Sequence, residues 1–338
     1  LHPEVLVLLD KTITLMESLG FLWVVETGFK LDLWSKLETE KDIDQLLALH
    51  PGWDRVLLDH WLEQAYILNL LDKTGYAYKT TKLGKAVENY RQQGLEAMYQ
   101  ELATHWSGCF SRLSDLIINP AHKENLASEM EEELISRASV ASELFAWPVL
   151  KAKFQEEQWR SVVDIGCGEA SYLIKLIESF PDIQAVGVEI NPKVALRAQA
   201  KADQYGSRLR IVCADALELN QSLGKFDVCL LHNNIYYFSS EQRVRLLHNV
   251  KRILNPGGQV GILSALRETD YQSRIFRTHI PQNLMSFFLA CHRGFIGLPK
   301  QGEIIELLES AGFSSLEVKA LALRTSHYFF AKLDTGQK

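Results

Sequence analysis

The fold is decided by residues 162–173, Val162-Val163-Asp164-Ile165-Gly166-Cys167-Gly168-Glu169-Ala170-Ser171-Tyr172-Leu173. An apolar run ends in an acid, two glycines follow one residue apart, and a helix-like stretch, "EASYLIKLIESF", begins at once. This reads as a strand that turns sharply into a helix. Glycine tolerates such a turn and lets backbone approach a ligand closely. In open α/β sheets, ligands bind outside the carboxyl ends of the strands. The pattern runs G-x-G-x-A and lacks the third glycine of the dinucleotide fingerprint. Taken alone, a glycine pair is equally compatible with a tight structural turn.

Working outward, the same alternation repeats. "QAVGVEI" is a strand, and Asn191-Pro192 caps the next helix. "LRIVCAD" and "FDVCLLHN" are two more strands, and Ser239-x-x-Gln242 opens the helix before "GQVGILSA". Strands alternating with helices predict a parallel α/β sheet with right-handed crossovers. "SSLEVKALA" and "TSHYFFAKL" lie close in sequence and predict an antiparallel edge. Acids fall at the ends of successive strands. Glu189 ends the second strand, where a carboxylate can accept both ribose hydroxyls, and Asp215 ends the third, placed to take an adenine amino hydrogen. Each alone reads as a solvated strand-end acid; in register with the glycine pair they predict a nucleoside site.

In order and spacing, "VVDIGCGEASYL", "VGVEINP", "VCADA", "FDVCLLHNN" and "LNPGGQVGIL" resemble the motifs of class I S-adenosylmethionine (SAM) methyltransferases over about residues 158–332. The resemblance implies a Rossmann-like, seven-stranded sheet with an antiparallel last hairpin, SAM as cofactor and S-adenosylhomocysteine (SAH) as product. It implies that Asp164, Gly166 and Gly168 line the methionine side, that Glu189 holds the ribose, and that Ile190 also lies at the cofactor. Asp215 and Ala216 would flank adenine, with His232 and Asn233 near the cofactor. The structural rival, a nicotinamide-dependent enzyme, would want the missing glycine.

The first third reads as helices. "PEVLVLLDKTITLMESLGFLWVVETG" has helical spacing, and "WDRVLLDHWLEQAYILNLL" places Val56, Leu57, Trp61, Ala65 and Leu68 on one side. "DKTGYAYKTTKLGKAV" reads as a turn, a short alternating strand with Tyr76 and Tyr78, and a helix. This segment resembles the winged-helix dimerisation domain of the caffeate-type small-molecule O-methyltransferases, which implies a homodimer. DNA binding is the rival for a winged helix. The recognition-helix candidate carries Asp54, Arg55, Asp59, His60 and Glu63, whereas phosphate contact wants Lys and Arg. The expected domains are a winged helix over 1–95, a helical connector and pocket roof over 96–157 with a capping box at Ser128–Glu131, and the methyltransferase domain over 158–338.

Composition agrees. The chain has 338 residues, room for two domains, and a net charge of −6, which argues against nucleic acid. Five scattered cysteines fit reduced thiols in a cytoplasmic protein. No apolar run is long enough for a membrane span, and residues 1–20 lack a basic n-region and cleavage site, so no secretory signal is expected. The chain does not begin with Met, which leaves open a processed protein or a piece of a larger polypeptide.

The stretch Leu231–Ser240, "LHNNIYYFSS", departs from the resemblance. The O-methyltransferases carry a His-Asp pair here, in a pattern like L-x-x-x-x-H-D-W-S-D, with the His as general base. Aligned on it, Tyr236 stands for the His and Tyr237 for the Asp. A phenol with a pKa near ~10 is a poor base at neutral pH but a good hydrogen-bond donor. It suits stabilising an enolate, hence transfer to carbon. The bland alternative is that both tyrosines pack the pocket wall. His292, in "FFLACHRGFIGLP", is the second catalytic candidate, with His279 nearby in sequence and His105 in the helical part expected to roof the pocket. Some carbon-methylating relatives hold a metal with histidines of these regions, but no tight His/Cys/Asp spacing is visible, so no metal is expected. The expected partner is a small molecule or an acyl group tethered to a carrier protein. A SAM-binding protein that has lost catalysis is the reading from another class.

Overall fold

The computed structural model describes residues 2–125, 132–219, 221–267, 280–295, 297–321 and 326–334. The Ser128–Glu131 capping box and His279 lie outside them. The chain divides into two compact units, Leu1–Ser111 with Arg137–Ala141, and Arg112–Ser136 with Ser142–Lys338.

The first unit is mainly helical. It contains α1 (Pro3–Lys30), α2 (Leu33–Lys36), α3 (Ile43–Leu49), α4 (Arg55–Ile67), α5 (Lys82–Asn89), α6 (Leu95–Glu101) and α7 (Ser107–Ser111). A small antiparallel sheet of β1 (Lys41–Asp42), β2 (Leu71–Thr74) and β3 (Ala77–Thr80) runs in the order β1-β3-β2. Asp42 and Asp54 cap α3 and α4 by accepting backbone N–H groups. The core gathers Val25, Phe29, Leu33, Trp34, Leu46, Leu62 and Tyr78, each large side chain contributing about 1.5–3 kcal/mol of burial.

Two expectations need correction here. The buried stripe of α4 is Leu58, Leu62 and Ala65, a clean i, i+4, i+7 series, while Val56 and Leu57 are exposed. Tyr76 sits in the β2–β3 turn and is 88% exposed, so only Tyr78 faces the core.

The second unit carries the seven-stranded sheet. Its strands are β4 (Ser161–Ile165), β5 (Gln184–Glu189), β6 (Leu209–Cys213), β7 (Phe226–His232), β8 (Leu254–Ser264), β9 (Phe313–Ala320) and β10 (His327–Leu333). The order is β6-β5-β4-β7-β8-β10-β9, with β10 antiparallel to both neighbours and the other pairs parallel. Helices α8 (Leu113–Ile118), α9 (Glu132–Glu157), α10 (Ser171–Ser179), α11 (Pro192–Ala202), α12 (Ser240–Ile253), α13 (Ile280–Ala290) and α14 (Gln301–Ser310) complete it. The central strands are apolar on both faces because helices cover both; Leu150 and Phe154 of α9 pack with Leu173, Leu176, Val162, Leu230 and Phe330. Asn191 caps α11, and Ser239 with Gln242 forms the expected capping box of α12. The order reverses between β4 and β7, which places a crevice outside the carboxyl end of β4.

Candidate active site

The crevice is built by the loop that leaves β4. Gly166, Gly168 and Ala170 all adopt left-handed backbone, with φ of 70°, 54° and 63°. At Gly166 a side chain is excluded twice, since a Cβ would also lie 2.6 Å from Asn234 Nδ2. Ala170 takes the same region at a steric cost of about 1–2 kcal/mol and hands the chain to α10.

Glu189, at the end of β5, is fixed by two backbone donors. Gly168 N–H donates to its Oε2 at 3.0 Å and Asn191 N–H to its Oε1 at 2.9 Å. Each oxygen keeps a further lone pair for a ligand hydroxyl. Beside it, Ile190 is an exposed apolar side chain. Asp215, just beyond β6, accepts from Leu217 N–H at 2.8 Å, and Ala216 is buried next to it. The glycine loop, Glu189 and Asp215 therefore follow three adjacent parallel strands, β4, β5 and β6.

Asp164 is 1% exposed, and its Oδ1 is buried without a hydrogen-bond partner. Its Oδ2 faces His232 Nδ1 at 3.3 Å. The other ring nitrogen, Nε2, meets the Tyr328 hydroxyl at 3.1 Å, and the Tyr172 ring stacks on the imidazole at 4.0 Å. Both nitrogens of His232 are thus engaged within the protein. Cys167 sits between the acids; burial, then the charges of Asp164 and Glu189, push its thiol well up, so it is no nucleophile.

The segment after β7 forms one short turn. Asn233 is left-handed at φ 51°, and Asn234 Nδ2 donates to the Ile165 carbonyl of the glycine loop. Arg243, buried on α12, donates from Nε to the carbonyls of Ile235 and Phe238, both at 3.0 Å. Tyr236 is buried in this turn, 4.8 Å from the Tyr237 ring, and Tyr237 meets Phe295 edge-on at 5.5 Å. His292 is buried at the end of α13 and donates from Nδ1 back to the Phe288 carbonyl at 3.0 Å. Tyr237, next to Tyr236, meets the ring of Phe295, which follows His292 by three residues. Tyr172, Tyr328, Asn234 and Arg243 belong to the site although no sequence pattern marked them.

A fold of this order, with acids at these strand ends, defines a class. Residues 162–258 match the family model described as "Methyltransferase domain". The trans-aconitate 2-methyltransferase of Deinococcus radiodurans is 32% identical over 113 residues, 33% of this chain and 41% of that protein. The first curated relatives are covered over only 39%, 48% and 41% of their own length. Among solved structures, the mitomycin 7-O-methyltransferase MmcR aligns with a TM-score of 0.75 at 16% identity, over 98% of this chain and 99% of that one. The methyltransferase CalO1 of calicheamicin biosynthesis, in its SAH-bound form, aligns at 0.70 with 16% identity over 98% of each.

The second unit thus carries a match to a methyltransferase domain over residues 162–258 and has the class I methyltransferase sheet, and the chain resembles small-molecule O-methyltransferases in fold. SAM is the cofactor that such a domain implies. The residues fit it: a glycine loop that a Cβ would fill, a carboxylate fixed for a diol, and an orphaned buried carboxylate oxygen that suits a cationic amino group. Among the described residues no group of three His, Cys, Asp or Glu is arranged to hold a metal, and no helix is long and apolar enough to cross a membrane.

Proposed function

We propose that this chain is an enzyme that methylates a small, largely apolar acceptor, free or tethered as an acyl group to a carrier protein. The observation that carries the reading is the register of the glycine loop, Glu189 and Asp215 on three adjacent strands. When bound, SAM supplies an electrophilic methyl group. Glu189 holds the ribose, Asp215 and Ala216 flank the adenine beside Ile190, and Asp164 with the glycine loop receives the amino-acid end. The chain's task is alignment and exclusion of water, effects that reach about 7–11 kcal/mol in well-oriented reactions.

The reading favours carbon as the methylated atom. No His-Asp pair stands in the turn after β7, and Tyr236 offers a phenol instead. Tyr236 would hydrogen-bond to an enolate or orient a carbonyl, with His292 orienting the acceptor from α13. The second reading is transfer to an already acidic oxygen, supported by the O-methyltransferases among the fold relatives. The first unit is proposed as a winged-helix dimerisation module, and the enzyme as a cytoplasmic homodimer that binds no nucleic acid. Arg55, the cation of the recognition-helix candidate, is already paired with Asp44. The test is incubation with methyl-labelled SAM and a panel of phenols, 2-oxo acids and acyl thioesters, with the methyl located by NMR. A C–CH₃ product supports the first reading, an O–CH₃ product the second. SAM binding without turnover across the panel contradicts both.

A further inference from the structure

Within the methyltransferase domain, three side chains from distant parts of the sequence form one buried chain: Tyr328 on β10, His232 at the end of β7 and Asp164 on β4. They are 0%, 9% and 1% exposed. A carboxylate only accepts hydrogen bonds, so Nδ1 of His232 carries the proton that faces Asp164. Nε2 is then the acceptor, and Tyr328 donates to it. Burial pushes the Tyr328 phenol well up, reinforced by Tyr172, Asp164 and Glu143, so it stays a donor. Tyr172 stacked on one face and Tyr328 edge-on at 5.9 Å fix the plane of the imidazole.

The chain has direction but no ligand of its own, because both imidazole nitrogens are used. What it determines is the orientation of Asp164. One carboxylate oxygen is tied to His232, and the other is left buried and unpartnered. A buried half-satisfied carboxylate is costly unless a cation completes it. We infer that His232 and Tyr328 are positioning residues that hold Asp164 so that the crevice accepts the ammonium end of the cofactor. This rests on the cofactor reading above and adds to it the device that selects the amino-acid end. His232 then acts on the cofactor through Asp164, not by touching it.

The experiment compares two ligands by calorimetry. SAH carries the amino-acid end; 5′-deoxy-5′-methylthioadenosine has the same nucleoside and a thioether but lacks it. Wild type binds SAH the more tightly. Tyr328→Phe removes one buried hydroxyl and keeps the ring, and His232→Leu removes the link to Asp164. Both lower SAH affinity by about tenfold, the worth of one hydrogen bond to a charged group, and leave the truncated ligand's affinity unchanged. His232→Asn, whose amide N–H can still reach Asp164, restores SAH binding towards wild type. If His232→Leu fails to fold, Tyr328→Phe with His232→Asn decides the matter. SAH affinity that does not change, or falls together with that of the truncated ligand, overturns the inference and leaves the chain a structural core element. A wild type that binds neither ligand overturns the cofactor reading and this inference with it.

Discussion

At Gly166 the backbone needs φ near 70°, and the space for a side chain is taken by Asn234. Gly166→Ala therefore meets two penalties, a left-handed alanine at about 1–2 kcal/mol and displacement of the Asn234 amide from Ile165. We expect a loss of about 1–3 kcal/mol in urea unfolding together with weaker SAH binding; a variant as stable as wild type would contradict the loop geometry. The place of the glycines, Glu189 and Asp215 at strand ends was legible in the sequence because each follows its strand at short range. Asn234 was not. Its role depends on a carbonyl 69 residues away and on the left-handed turn at Asn233, which no side-chain pattern announces. His232 shows the same limit. Its residue type was visible, but its partners lie 68 and 96 residues away, so a ligand contact could not be told from an internal bond.

Among elements, the start of β7 is tied to its neighbours by Asp227. Its carboxylate accepts from Arg160 N–H and Ser161 N–H, both at 2.9 Å, and from Asn255 Nδ2 at 2.8 Å. Burial works to raise its pKa, but these donors outweigh it and hold the carboxyl below the ordinary 3.8. A depressed native pKa contributes stability that is full above 3.8 and lost as pH falls through the lower native value. Asp227→Ala should cost about 1–3 kcal/mol at neutral pH, with the gap to wild type narrowing on acidification below 3.8. A gap that does not depend on pH would show that the ionised carboxylate is not the source. The strands of the seven-stranded sheet were legible because most of their apolar runs are bounded by glycine, proline and acids, whereas β2, polar at Asp72-Lys73-Thr74, reads as a turn. The two-residue β1 was not, since pairing with β3 at Tyr78 and Ala77 is set by tertiary placement alone. The face of α4 is legible only in part: Trp61, Ala65 and Leu68 meet the core, but Val56 and Leu57 are apolar yet exposed.

For the whole molecule, α1 is the feature a monomer leaves unexplained. It spans 28 residues, and Leu6, Leu8, Ile13, Leu15 and Met16 are all exposed along it. A patch of this kind marks an association surface, in keeping with the proposed homodimer. Light scattering should give twice the mass of the 38.4 kDa chain, and the double substitution Leu8→Glu with Met16→Glu should yield monomer; a wild-type monomer would contradict the proposal. The nucleoside site is probed by calorimetry of SAH on wild type and Glu189→Ala. Wild type should bind, and the variant, without the carboxylate fixed by Gly168 and Asn191, should bind at least about tenfold more weakly. Equal affinities in the two proteins, or no binding by wild type, would contradict the nucleoside site.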